Sequence, residues 1–210
     1  GAVELLRNDP RRLFAENCAT CHTFNNHDGM GNPVSDPTAA DLAGFAGQQW
    51  LTDFLDPAKI ATPRFFGNTK FSSGDMVDFV TETVSDFDEE EKQALAKAID
   101  ALATDARLDH SRSPGDASVP STVQIRGWME FVGCIDCHRF YGAGGKKGPD
   151  LTGYGSRRWM INFVHDPSHP RFYGKKNDSM PAFGAEGHLT GKQIAAITDW
   201  LRESKDETRP

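Results

Sequence analysis

At 210 residues and a net charge of −7, the chain draws only 42 residues, a fifth of its length, from Leu, Ile, Val and Phe. That share lies at the edge where charged chains stop folding, yet 14 Phe and 4 Trp exclude a disordered polymer. No run approaches the roughly 18 apolar residues of a membrane-spanning helix, and the start GAVELLRNDPRR has no apolar h-region, so neither a transmembrane segment nor a signal peptide is expected.

The first predicted element is a helix over residues 9–20, with Leu13, Phe14 and Cys18 on one face. A short helix over residues 47–56 follows, stopped by the proline after Asp56. Asp88 is the expected N-cap of a long helix that buries Leu95, Ile99 and Leu102. Residues 104–122 hold Pro114 and Pro120 without any period and read as a linker. Beyond it, a helix over residues 122–136 carries Ile125, Trp128, Met129 and Val132. The Gly-rich stretch 141–148 is a loop, and it lacks the GK[ST] ending of a phosphate-binding loop. A short helix is expected over residues 156–166, and a last one after Leu189-Thr190, burying Ile194, Ile197 and Leu201.

The chain repeats itself. Asp41-Leu42-Ala43-Gly44-Phe45 answers Asp150-Leu151-Thr152-Gly153-Tyr154, and Gln49-Trp50-Leu51 answers Arg158-Trp159-Met160. Phe54-Leu55-Asp56-Pro57 returns with one extra residue as Phe163-Val164-His165-Asp166-Pro167, and Pro63-Arg64-Phe65-Phe66-Gly67 as Pro170-Arg171-Phe172-Tyr173-Gly174. Four blocks in one order, about 110 residues apart, indicate a duplicated domain rather than a solenoid. The expected division is residues 1–110, a linker at 111–121 and residues 122–210. The first 110 residues carry 9 Lys/Arg against 19 Asp/Glu, the remainder 14 against 11.

All four cysteines fall in two copies of one pattern, Cys18-Ala19-Thr20-Cys21-His22 and Cys134-Ile135-Asp136-Cys137-His138. CxxCH is the attachment sequence of c-type haem. Thiols three residues apart on one turn reach the two vinyl groups of a porphyrin, and the adjacent imidazole reaches the iron. A four-thiolate zinc site would not need the histidines, a thioredoxin-like dithiol would need a βαβ setting, and simple disulfides require that no haem is attached. Two covalently bound haems c are therefore expected, with His22 and His138 as proximal ligands.

For the opposite face of the second iron, Met180 before Pro181 sits in an extended loop suited to ligation, and Met/His ligation favours a carrier by raising the potential. In the first half, Met76 falls opposite Met180 but lacks the proline, so Met30, a histidine or an open position stay as alternatives. Trp50 and Trp159 are expected to pack on the haem edge, each indole N–H finding an acceptor. Among Lys146, Lys147, Arg157, Arg158, Arg171, Lys175 and Lys176, at least one arginine, with Arg158 the candidate, is expected beside a haem propionate.

These residues resemble class I cytochromes c, duplicated as in dihaem electron-transfer proteins. The resemblance implies an all-α fold of two tandem cytochrome c-like domains, each a few helices round one haem. In that family a proline carbonyl after a Gly-Pro turn holds the proximal imidazole; Gly148-Pro149 matches for His138, while Ala39-Ala40 stands there in the first half, with Pro33 or Pro37 as other possibilities. It also implies crosswise pairs of terminal helices: residues 10–21 with 88–103, and residues 122–137 with 190–203. GPDLTGYGSRRW, DPSHPRFYG and MPAFG further resemble dihaem domains fused to or associated with cytochrome b subunits of quinol:acceptor oxidoreductases.

The implied function is single-electron transfer, without a catalytic residue of its own, from a membrane cytochrome b-type complex to a soluble or oxidase acceptor. The implied location is the periplasm or the outer face of a bacterial cytoplasmic membrane, and no nucleic-acid partner is expected. The alternative is a dihaem redox enzyme, a peroxidase or sulfur-compound oxidoreductase, with one open iron.

Overall fold

The computed structural model describes residues 8–108, 120–177 and 179–203. Its helices are set by local side-chain chemistry. Helix α1 (Pro10–Asn17) starts with a proline at its first position, where no N–H is needed, and Asp9 accepts from the Arg11 amide. Helix α2 (Gln48–Phe54) ends three residues before Pro57. Helix α3 (Asp75–Asp78) runs on into a π-helical turn at Phe79–Thr83 and a 3₁₀ turn at Val84–Asp86. Helix α4 (Glu89–Leu108) opens on the expected cap: Asp88 Oδ1 accepts from the Glu91 amide at 2.9 Å while Glu91 Oε2 accepts from the Asp88 amide at 2.8 Å.

Helix α5 (Thr122–Phe131) has a reciprocal cap between Ser121 and Gln124. The expected continuous helix over residues 122–136 is broken. Gly133 adopts φ 81°, a left-handed conformation that glycine takes without strain, and α6 (Cys134–Cys137) starts afresh after it. The first helix likewise stops at Asn17, short of residue 20, leaving Cys18 to His22 as a separate turn. A small antiparallel hairpin, β1 (Arg139–Phe140) with β2 (Ala143–Gly144), closes over Tyr141 and Gly142, both with positive φ as a two-residue turn demands. Helix α7 (Arg157–His165) is capped by Ser156, and α8 (Gly191–Glu203) by Thr190, which exchanges hydrogen bonds with Gln193. Among the described residues no helix is long and apolar enough to cross a membrane.

The chain divides into two compact units. Unit 1 comprises Gly1–Phe87 together with Ala195–Pro210, and unit 2 comprises Asp88–Ile194. This differs from the division expected near residues 110 and 122. Most of the expected linker, residues 111–119, lies outside the described residues, while Ser121 serves as a helix cap.

The helix pairs differ from the expected ones for the same reason. Within unit 2, α4 packs along α5, and α4 buries Ala94, Ala98 and Ala101 among its apolar residues. Within unit 1, α8 contributes Trp200, whose ring packs on Phe14 of α1. An apolar stripe on a terminal helix does not encode which first helix it covers.

Candidate functional site

Each unit holds one CxxCH turn. In unit 1 the Cys21 and His22 amides both donate to the Cys18 carbonyl, at 3.1 and 2.8 Å, which coils the motif into a single turn. His22 Nδ1 donates to the Ala40 carbonyl at 2.7 Å. In unit 2 the His138 amide donates to the Cys134 carbonyl at 2.9 Å, and His138 Nδ1 donates to the Pro149 carbonyl at 2.8 Å. A carbonyl only accepts, so Nδ1 carries the proton in both rings and the lone pair sits on Nε2. Burial lowers the proton affinity of both imidazoles, against the opposing effect of these hydrogen bonds, and keeps them neutral, the form that ligates a metal.

Pro149 thus holds His138 as the resemblance implied, and Ala40, not Pro33 or Pro37, does the same for His22. The backbone frames match. The Ala39 and Gly148 amides donate to the carbonyls of Cys21 and Cys137, each at 3.0 Å. Gly148 also leaves the second imidazole its room, since a Cβ there would lie 2.4 Å from His138 Cε1. The four thiols are half-buried and unbridged. Burial pushes the Cys18 thiol up to about 12 and the Cys134 thiol up to about 11.

Beside each turn stands a cage of five aromatic rings. In unit 1, Trp50 stacks on Phe54 (5.1 Å, 12°) and meets Phe65 edge-on (5.3 Å, 86°) and Phe45 at 5.0 Å. In unit 2, Trp159 stacks on Phe163 (5.1 Å, 13°) and meets Phe172 (5.2 Å, 82°) and Tyr154 at 4.8 Å. Phe66 completes the first cage on Phe54 at 5.4 Å, and Tyr173 the second on Phe163 at 5.8 Å. The indole N–H groups find the acceptors they need, Trp50 on the Asp41 carbonyl (2.9 Å) and Trp159 on the Asp150 carbonyl (3.2 Å). The Asp41 and Asp150 amides then donate to the carbonyls of Arg64 and Arg171. The same bonds thus tie histidine, tryptophan and arginine blocks together in both units.

The cations divide differently. Arg158 is exposed on α7, whereas Arg171 lies over the Phe172 ring, donates to the Thr152 carbonyl and comes within 3.8 Å of Asp150. In unit 1, Arg64 and Lys59 converge on the buried Asp53 at 3.0 and 2.7 Å, a cluster that the sequence reading missed.

Of the methionines proposed as ligands, Met180 is half-buried in a loop whose conformation is fixed by Asn177: its side-chain amide donates to the Met180 carbonyl and to Ser168 Oγ, both at 2.9 Å. Met76 is half-buried on α3 rather than in an extended loop. Met30 is 54% exposed at the surface.

The protein-family model for cytochrome c matches residues 129–205. No curated protein and no solved structure matches the chain. The matched stretch spans Cys134, Cys137, His138, Pro149 and Met180. Its residues fit the group this family binds: two unbridged thiols on one turn, an imidazole whose free nitrogen is Nε2, and a glycine leaving space against that ring. Residues 129–205 are thus similar to a cytochrome c domain.

Proposed function

We propose that the protein is a dihaem c-type electron carrier, with one haem held by Cys18, Cys21 and His22 and the other by Cys134, Cys137 and His138. A haem so held supplies one-electron iron redox chemistry. The observation that carries the reading is the paired hydrogen bond of His22 to Ala40 and His138 to Pro149, which orients both imidazoles and leaves Nε2 of each for iron. The repeated aromatic cages support equal roles for the two units.

Met180 would supply a thioether to the second haem and Met76 to the first. With both thioethers bound, no place would be left for a substrate, which favours a carrier over a peroxidase or sulfur-compound oxidoreductase. The proposed partners are a membrane cytochrome b-type quinol-oxidising complex as donor and a soluble or oxidase acceptor, in the periplasm or on the outer face of a bacterial cytoplasmic membrane. A pyridine haemochrome spectrum of the native protein, set against its concentration, is expected to count two covalent haems per chain. A count of one or none overturns the dihaem assignment.

A further inference from the structure

Helix α8 lies inside the stretch matched to cytochrome c, yet from Ala195 onward it belongs to unit 1, the unit built on the other CxxCH turn. There the Trp200 ring lies 4.5 Å from that of Phe24 and 5.3 Å from that of Phe14. Phe14 and Phe24 also meet each other at 6.4 Å. Two of the three rings bracket the first CxxCH turn in sequence, Phe14 before Cys18 and Phe24 after His22.

The coupling to the turn is direct. Phe14 is fully buried, and its carbonyl accepts from the amides of Cys18 and Ala19 at 2.8 and 3.0 Å. Phe24 is anchored by a two-way backbone exchange with His27. Gly29 keeps the pocket open for the indole, because a Cβ there would lie 3.1 Å from both Phe14 Cδ1 and Trp200 Cη2. Unit 2 is served in the complementary way: α4, from the earlier part of the chain, packs along α5, and the Tyr141 hydroxyl, just beyond His138, reaches Asp105 Oδ2 of α4 at 3.5 Å.

We propose that Trp200 is a positioning residue of the first CxxCH turn, so that the last helix of each sequence repeat closes the unit built on the other repeat's CxxCH turn. The role toward a haem rests on the dihaem reading; the packing itself does not.

The test uses the native, full-length protein and its Trp200→Ala and Trp200→Phe variants, read by amide hydrogen exchange and by redox titration. In Trp200→Ala, amides of residues 14–24 are expected to exchange on the order of a hundredfold faster, while residues 134–140 stay unchanged. Trp200→Phe restores most of the protection, and it supplies a graded signal if the alanine variant does not fold. One of the two midpoint potentials shifts in Trp200→Ala and returns in Trp200→Phe.

Faster exchange at residues 134–140 in place of 14–24, equal loosening of both, or no change at either overturns the proposal. Changed exchange with both potentials fixed overturns the positioning role. Exchange is read whatever the haem count, so a haemochrome count of one refutes the dihaem assignment and leaves the packing test intact.

Discussion

An imidazole that commits its Nδ1–H to a backbone carbonyl has one lone pair left, at Nε2, and a fixed ring plane. His22 and His138 are both in that state. In the proposed dihaem reading, what would distinguish a carrier from an enzyme is the group on the far side of the iron that each imidazole would hold. Replacing Met180 by Ala removes the proposed thioether without touching the Asn177 hydrogen bonds, which end on the Met180 backbone carbonyl and on Ser168. The reduced Met180→Ala protein is expected to bind carbon monoxide at one haem per chain, with a lowered potential at that haem, as loss of Met/His ligation implies. Flash photolysis and redox titration measure both, and a variant as inert to carbon monoxide as the parent removes Met180 from the iron. The cysteines, the histidines and Pro149 were legible in the sequence because their chemistry resides in side-chain identity or in a Gly-Pro pair. Ala40 was not, because its contribution is a backbone carbonyl that any residue supplies. Only its position opposite Pro149, one residue before the repeated Asp-Leu, points to it.

At the scale of elements, the two aromatic cages reproduce each other ring by ring, while the polar clusters around them do not. In unit 1 the carboxylate of Asp53, 6% exposed on α2, receives Lys59, Arg64 and Gln49. Burial pushes its pKa up, but hydrogen bonds from Lys59 and Gln49 and the charges of Lys59 and Arg64 outweigh that and hold it below the ordinary carboxylate value. A carboxyl depressed by folding stabilises the protein above its unfolded pKa, and that contribution is lost as pH falls through the folded one. Asp53→Asn is therefore expected to cost about 1–2 kcal/mol at neutral pH, with the half-exposed cations screened by solvent. The gap between parent and variant is expected to begin closing near the unperturbed value of 3.8 and to vanish below the depressed one. Urea unfolding across that range measures it; a pH-independent gap refutes the electrostatic account. Asn162, the residue before Phe163, stands where Asp53 precedes Phe54, so the sequence repeat concealed this difference in charge. Helix starts were legible from Asp88 and Thr190, whose side chains cap within a few residues. The break at Gly133 and the π-helical turn after α3 were less so: a lone glycine is also tolerated inside helices, and an inserted residue leaves the apolar period nearly intact.

For the whole molecule, packing redistributes charge in a way that sequence order hides. Cut by sequence, the first 110 residues carry −10 and the rest +3. Grouped by compact unit, the described residues of unit 1 carry 6 Lys/Arg against 13 Asp/Glu, and those of unit 2 carry 13 against 11. The acidic start of α4, Glu89 to Glu91, goes with the Lys- and Arg-rich loops of unit 2 and offsets most of their charge. The described residues therefore form one strongly acidic unit and one close to neutral. Long-range steering then depends on the acidic unit, and it weakens as the Debye length falls from about 30 Å at 0.01 M salt to about 8 Å at 0.15 M. Electron transfer with a cationic redox protein is expected to slow by on the order of tenfold over that range, and reaction with a small anionic metal complex to accelerate. Stopped-flow rates with both reagents decide the matter. If the anionic reagent also slows with salt, a local basic patch on unit 2 outweighs the net charge. If neither rate moves, charge does not govern encounter, and the docking face must be sought among exposed apolar groups such as Met30, Val123 and Phe131.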